Sequence, residues 1–173
     1  MIESELNEQI RRLAAGESVP TAPKLLDRLA LWGLVADMQG DKVRLAKPLQ
    51  LLDKASIMDG LNSPVFDAVT DLMVHWSIDS TNTYMLEQAV MPMFHGRVCL
   101  AERQDAGKGR RGKHWVSPFG KNIYMSIGWR FGMTAAALGG LSLVAGMAVV
   151  KTLRAQGVQN IGLKWPNDVL SDL

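Results

Sequence analysis

The stretch AGKGRRGKHW, Ala106–Trp115, carries three glycines and five Lys, Arg or His residues in ten positions. Glycines let an anion approach backbone N–H groups closely, and ammonium and guanidinium groups neutralise its charge. Three kinds of guest suit such a loop: a dinucleotide pyrophosphate, a nucleic-acid backbone, or the phosphate of a nucleotide intermediate.

The dinucleotide option rests on Gly107-Lys108-Gly109-Arg110-Arg111-Gly112, which satisfies G-x-G-x-x-G. That fingerprint needs a helix directly after the glycines, with its N-terminus facing the pyrophosphate. Here KHWVSPFGKN follows, and Pro118 and Gly120 forbid a helix. No acidic residue stands about twenty positions on to hold a ribose, so the match is accidental.

For nucleic acid, Arg110, Arg111, Lys113 and His114 offer phosphate contacts and Trp115 a stacking ring. No second basic stripe extends the footprint. Net charge is only +2, yet Arg97–His114 holds six Lys/Arg against Glu102 and Asp105, so the positive potential is local. A phosphate clamp on a mobile lid, with Trp115 covering the ligand, fits best.

The elements around the loop follow from periodicity. Leu6, Ile10 and Leu13 mark an amphipathic helix stopped by Gly16; Leu25, Leu26, Leu29 and Trp32 mark a second, stopped by Gly33. LVADM-QGD-KVRLA reads as a hairpin. Residues 1–47 thus form a small module like a winged helix-turn-helix lacking one helix. The second helix carries only Lys24 and Arg28 as bases, so DNA binding is not expected.

Residues 48–70 read as a connecting helix and 71–173 as the main body, with strands at Asp71–Trp76, Gly96–Ala101, Asn122–Arg130 and Asn160–Lys164. DSTNTYMLEQAV opens a helix with Ser80 or Thr81 as N-cap. Phe131–Val150 contains no charge and is long enough to span a bilayer. Its four glycines and five alanines make it weakly hydrophobic, so a soluble core helix packed on a sheet is expected, with no membrane.

A hydrophobic share of 47% with 21% charged residues describes a globular chain of α+β type. The single cysteine, Cys99, lies in an apolar strand and reads as core, not nucleophile. The charged N-terminus lacks an apolar signal core, so a cytoplasmic enzyme is the default expectation.

IDSTN (Ile78–Asn82), AERQDAGKGRRGKHWVSPFGKNIYMSIGWR (Ala101–Arg130) and KWPND (Lys164–Asp168), in this order and spacing, resemble the catalytic domain of the biotin protein ligases. PLQLLDKASI and the module before it more weakly resemble the bacterial ligase/repressor type. The resemblance implies a class II aminoacyl-tRNA-synthetase-like domain, a mixed sheet with packed helices, behind a degenerate winged-helix module. It implies ATP and biotin as substrates, Mg²⁺ as cofactor, biotinyl-5′-adenylate as intermediate, and the biotin carboxyl carrier domain of acetyl-CoA carboxylase as partner. In each step one substrate supplies the nucleophile, biotin's carboxylate in the first and the acceptor lysine's amine in the second, so no Ser-His-Asp set is needed and positioning and charge carry the catalysis.

The resemblance assigns Ser80, Thr81, Asn82 and Gln104, with Lys108, Gly109 and Arg110, to biotin. It assigns Lys108, Arg110, Arg111, Trp115, Lys164 and Asn167 to the adenylate, and Arg110, Lys164 and Asp168 to catalysis, Asp168 also to the metal. Lys108 stands where the family usually has Arg, which keeps the charge but loses the bidentate fork. The family continues beyond WPNDVL with a further active-site lysine, more sheet and a small β-barrel. The expectation is therefore a truncated ligase whose site is recognisable but incomplete, with apolar sheet faces exposed. A homodimer is left open. The alternatives are a lipoate or octanoyl transferase of related fold, and a DNA-binding regulator with an inactive ligase-like sensor.

Overall fold

The computed structural model describes residues 2–109, 113 and 115–171. It forms two compact units, 1–130 and 131–173.

The first unit opens with α1 (Ile2–Ala14), β1 (Val19–Pro20), α2 (Pro23–Leu31), β2 (Ala36–Gln39) and β3 (Lys42–Leu45). Both helices are where their apolar spacing puts them. In α1, Glu3 and Glu5 sit in the first turn and Arg11 and Arg12 in the last, each sign favourable to the helix dipole. Pro23 starts α2, where a missing N–H costs nothing, and Gly33 at φ +69° follows it. β2 and β3 pair antiparallel as expected. β1 adds a third strand, Val19 opposite Val43, too short to show a period in the sequence.

Leu6, Ile10, Leu13, Leu25, Leu29 and Val43 form the core of this module, and Phe119 completes it. Phe119 stacks on Trp32 at 4.1 Å between ring centroids, and Trp76 lies 5.4 Å from it. Residues 1–47 are thus not a separate body: the chain returns seventy residues later to fill their core. The connecting segment also differs from the single helix expected for 48–70. It forms α3 (Lys54–Asp59) and α4 (Ser63–Ala68). Asp53 caps the first, accepting from Ser56 N at 2.8 Å, and Asn62 caps the second just ahead of Pro64. Two capping side chains and a proline divide the stretch into two nuclei.

The main sheet has the order β4–β5–β6, from β4 (Asp71–His75), β5 (Arg97–Ala101) and β6 (Tyr124–Gly128). β4 and β5 run parallel, joined through α5 (Thr81–Gln88), and β6 returns antiparallel, so the sheet is mixed. Leu72, Val98 and Leu100 face Leu52, Ile57 and Met58 from the connecting segment. α5 packs on the other face. There Cys99 is fully buried, and burial pushes its thiol up to about 11, as suits a core cysteine. On β6 the row Tyr124, Ser126 and Gly128 is turned inward, while Met125 and Ile127 are exposed.

In the second unit, α6 (Leu141–Ala155) packs on a hairpin of β7 (Ile161–Lys164) and β8 (Asp168–Ser171). The helix begins ten residues later than its uncharged run. Ala135–Leu138 form a separate 3₁₀ turn, and Gly139-Gly140 interrupt the path to α6. Gly146 lies against Leu163, and Val150 and Ile161 are buried. α6 packs on a two-stranded hairpin and is not the core helix expected, since Leu141, Val144, Met147 and Val149 are exposed; β8, formed by the end of the motif WPND and its sequel, has no counterpart in the expected strands. By length and composition alone, Ala136–Ala155 could cross a bilayer, and 11% of its apolar window is buried.

Candidate functional site

Because β4 and β5 are parallel, their C-terminal ends emerge side by side, the usual place for a site in such a sheet. Beyond the strands the two chains stay zipped together. Glu102 N donates to His75 O at 2.9 Å, Asp105 N to Ile78 O at 2.9 Å and Ala106 N to Asp79 O at 2.9 Å. This brings IDSTN against RQDAG, and so joins two motifs more than twenty residues apart.

Ser80, Thr81 and Gln104 are all buried in that junction. Ser80 is the N-cap of α5, its Oγ accepting from Thr83 N at 3.4 Å, and among the described residues no acceptor takes its hydroxyl proton. Capping and ligand contact are therefore compatible in one side chain. Gln104 Oε1 accepts from Thr81 N at 2.9 Å and from Thr81 Oγ1 at 3.1 Å. Asn82 sits on the first turn of α5 and is exposed; no hydrogen bond joins it to Gln104 or the glycine loop among the described residues.

The glycine loop follows directly. Gly107, Lys108, Gly109, Lys113 and Trp115, with Asp105, line a recess of about 350 Å³. Lys108 Nζ reaches Thr83 Oγ1 at 3.5 Å, so its ammonium leans toward α5. Gly109 N donates to Lys113 O at 3.2 Å, closing the loop on itself. A Cβ on Gly107 would lie 2.5 Å from the Trp115 ring, which explains the glycine by close approach, not by φ. Arg110 and Arg111 lie outside the described residues.

Asp105 heads the loop in a polar strut. It accepts from Arg103 Nε at 2.7 Å and from Ser77 Oγ, and Arg103 Nη1 donates to Leu31 O at 3.0 Å. Burial pushes the Asp105 carboxyl up, but hydrogen bonds from Arg103 and Ser77 and the charges of Arg103 and Arg28 together hold it below its ordinary value. A lowered folded pKa gives stability that is present above the unfolded value and lost as pH falls through the folded one. Acid unfolding of the wild type should therefore steepen below the ordinary carboxylate range. Asp105→Asn should lose neutral-pH stability and flatten that acid limb in circular-dichroism titrations; an unchanged acid limb would refute the role of the strut.

Glu102, unnoticed in the sequence except as a charge, is buried and accepts from Leu52 N. Burial pushes its carboxyl up, with the Leu52 bond and Arg11 pulling the other way. It fastens the connecting segment to the base of the loop, while Gly120 N donates to its carbonyl at 3.0 Å. Ser126 was also missed: its Oγ donates to Thr81 Oγ1 at 2.9 Å. The inward orientation of its row could have singled it out, but strand alternation alone does not say which row faces in.

Lys164, Asn167 and Asp168 belong to the second unit. Lys164 ends β7 and Asp168 begins β8, directly opposite it in the ladder. Both are exposed, as is Trp165, and Asn167 Nδ2 donates to Asp168 Oδ1 at 3.1 Å. No cluster of three His, Cys, Asp or Glu occurs among the described residues. One exposed carboxylate suits Mg²⁺ that arrives on a nucleotide's phosphates, not an ion caged by protein alone.

Against this geometry stand the comparisons with known proteins. The profile of the Biotin/lipoate A/B protein ligase family matches residues 74–173. The Bifunctional ligase/repressor BirA of Salmonella typhimurium is 40% identical over 155 residues, covering 89% of this chain and 46% of that protein. The Biotin--[acetyl-CoA-carboxylase] ligase of Mycobacterium tuberculosis is 38% identical over 136 residues, covering 76% and 50%. A solved structure, "Biotin protein ligase from Aquifex aeolicus in complex with biotin and ATP", aligns at 30% identity and a TM-score of 0.45, covering 58% of this chain and 41% of that one. The chain spans about half the length of the curated relatives it matches.

Proposed function

The chain belongs to the biotin/lipoate A/B protein ligase family, and from that we propose that it carries the biotin- and adenylate-facing part of a biotin–protein ligase. In the first step biotin's carboxylate attacks the α-phosphorus of ATP and pyrophosphate leaves. In the second, a lysine amine of the carrier domain of acetyl-CoA carboxylase attacks the mixed anhydride and AMP leaves. The observation that carries this reading is the junction of a buried polar nest, Ser80–Thr81–Gln104, with a recess lined by Lys108 and Lys113. A neutral polar ring head and an anionic phosphate would find their complements side by side. The similarity to a ligase/repressor and to a biotin--[acetyl-CoA-carboxylase] ligase supports the same reaction.

In this mechanism Ser80, Thr81, Asn82 and Gln104 hold the ureido head. Lys108, Gly109, Arg110 and Arg111 draw the carboxylate and the phosphate together against their mutual repulsion, and Trp115 excludes water. By the family resemblance, Lys164 would add a cation for the phosphate or the biotin carboxylate, Asn167 would support the adenylate, and Asp168 would be the residue to hold Mg²⁺. When bound, that ion supplies charge neutralisation at the phosphates. Substrates of this kind put the work in the cytoplasm.

The test is ATP-dependent transfer of labelled biotin to a carrier domain, with adenylate formation followed in parallel. Label on the carrier and biotinyl-adenylate are expected from the protein. Absence of both refutes the ligase reading; transfer of lipoate instead, uncompeted by biotin, would favour the lipoate branch of the family.

We infer that the module 1–47 is of winged-helix type short of one helix and that it does not read DNA. Of the two bases on α2, Arg28 is tied to Glu3 at 2.9 Å and lies over the Trp32 ring at 5.1 Å. Only Lys24 is left to face a phosphate. Tight, salt-resistant retardation of a biotin-operon operator in a gel shift would sink this inference.

A further inference from the structure

The hydrogen bonds around Gln104 have a fixed direction. A backbone N–H can only donate, so the Gln104 atom 2.9 Å from Thr81 N must be Oε1 whichever way the amide was first placed. The Thr81 hydroxyl, 3.1 Å from the same oxygen, must therefore spend its proton there. With that proton used, Thr81 Oγ1 can only accept from Ser126 Oγ at 2.9 Å. The relay runs one way, Ser126 to Thr81 to Gln104.

Its consequence falls on the ligand side. The Gln104 Nε2 is turned toward Gly107 and Trp115: a Cβ on Gly107 would lie 3.0 Å from Nε2. Among the described residues no acceptor is recorded for it. Thr81, meanwhile, has a lone pair to offer and no proton. Resting on the ligase reading above, we propose that Ser126 is a positioning residue that holds Thr81, and with it the polarity of the biotin subsite, in place. A ligand meets an N–H donor at Gln104 and an acceptor-only hydroxyl at Thr81. A cyclic urea, with a carbonyl beside its N–H groups, presents the complementary pair; a cyclic guanidine, with N–H in place of the carbonyl, does not.

Ser126 touches no ligand in this scheme. Without it the Thr81 hydroxyl loses its incoming bond, and the rotamer that presents its proton to Gln104 is less firmly held. Two measurements test this on the full chain. In the wild type, nuclear Overhauser effects from the Gln104 side-chain amide protons should be strongest to Gly107 and Trp115; dominance of the Thr81 amide would overturn the inference. In titrations, Ser126→Ala should raise the biotin Kd about fivefold, the worth of one neutral hydrogen bond, and Ser126→Thr should restore it. Ser126→Ala should also narrow the preference for biotin over 2-iminobiotin, which a merely structural loss would leave unchanged. Unaltered affinity and preference in Ser126→Ala, with wild-type binding intact, would overturn this inference alone. Absence of biotin binding by the wild type would overturn the ligase reading and, with it, the ligand assigned here.

Discussion

Replacing Phe119 with alanine is expected to lower the stability of the 1–130 unit by about 3–5 kcal/mol, the usual cost of emptying an aromatic site in a core. The ring is fully buried and stacked on Trp32 with 10° between planes, and its N–H donates to Trp32 O at 3.4 Å. Among the described residues it is also the only one beyond position 47 in the buried part of that core. Its removal therefore takes away a side chain shared by the first module and the loop base. Urea unfolding should show a lower midpoint, and hydrogen exchange should show residues 1–47 losing protection together with 117–120. Phe119→Leu, which keeps most of the volume, should cost clearly less. A loss under about 1 kcal/mol for the alanine variant would show that the module stands without this ring.

That dependence also marks the limit of what the sequence discloses. The helices at Leu6–Leu13 and Leu25–Trp32 are legible because their apolar spacing is local and the glycines that stop them are explicit. Phe119 carries no such sign: SPFG reads as loop, and its partner Trp32 stands eighty-seven positions earlier. The site divides in the same way. Ser80 and Thr81 are announced by the start of a helix, and Lys108–Gly109 by composition. Gln104, Glu102 and Ser126 acquire meaning only once parallel pairing of β4 and β5 carries IDSTN to RQDAG and the antiparallel return brings β6 alongside. Family resemblance supplied Gln104 before the fold did; nothing local pointed to Glu102 or Ser126.

Gly109→Ala is expected to reduce kcat/KM for biotin adenylation by about 100-fold, the scale on which misplacement of a binding group by about an ångström is felt. A Cβ at this position would lie 2.5 Å from Lys113 O and 3.0 Å from Lys113 Cβ. The first of these is backbone and cannot swing aside, so the bond from Gly109 N to Lys113 O must open. Lys108 and Lys113, which line the same recess, would then be displaced from each other. The Ser80–Thr81–Gln104 nest lies outside the strained turn and keeps its own hydrogen bonds. Biotin binding without ATP should accordingly fall less than adenylation does, by the share that Lys108 gives to the carboxylate, and most of the loss should appear at adenylate formation. Thermal stability should also change little, because the recess is open to solvent and no core residue moves. Gly107→Ala acts differently, since its clash is with the Trp115 ring and with Gln104 Nε2, so it should weaken biotin binding itself. Equal effects of the two alanines on biotin affinity would contradict this division of the loop into a phosphate-facing turn and a biotin-facing wall.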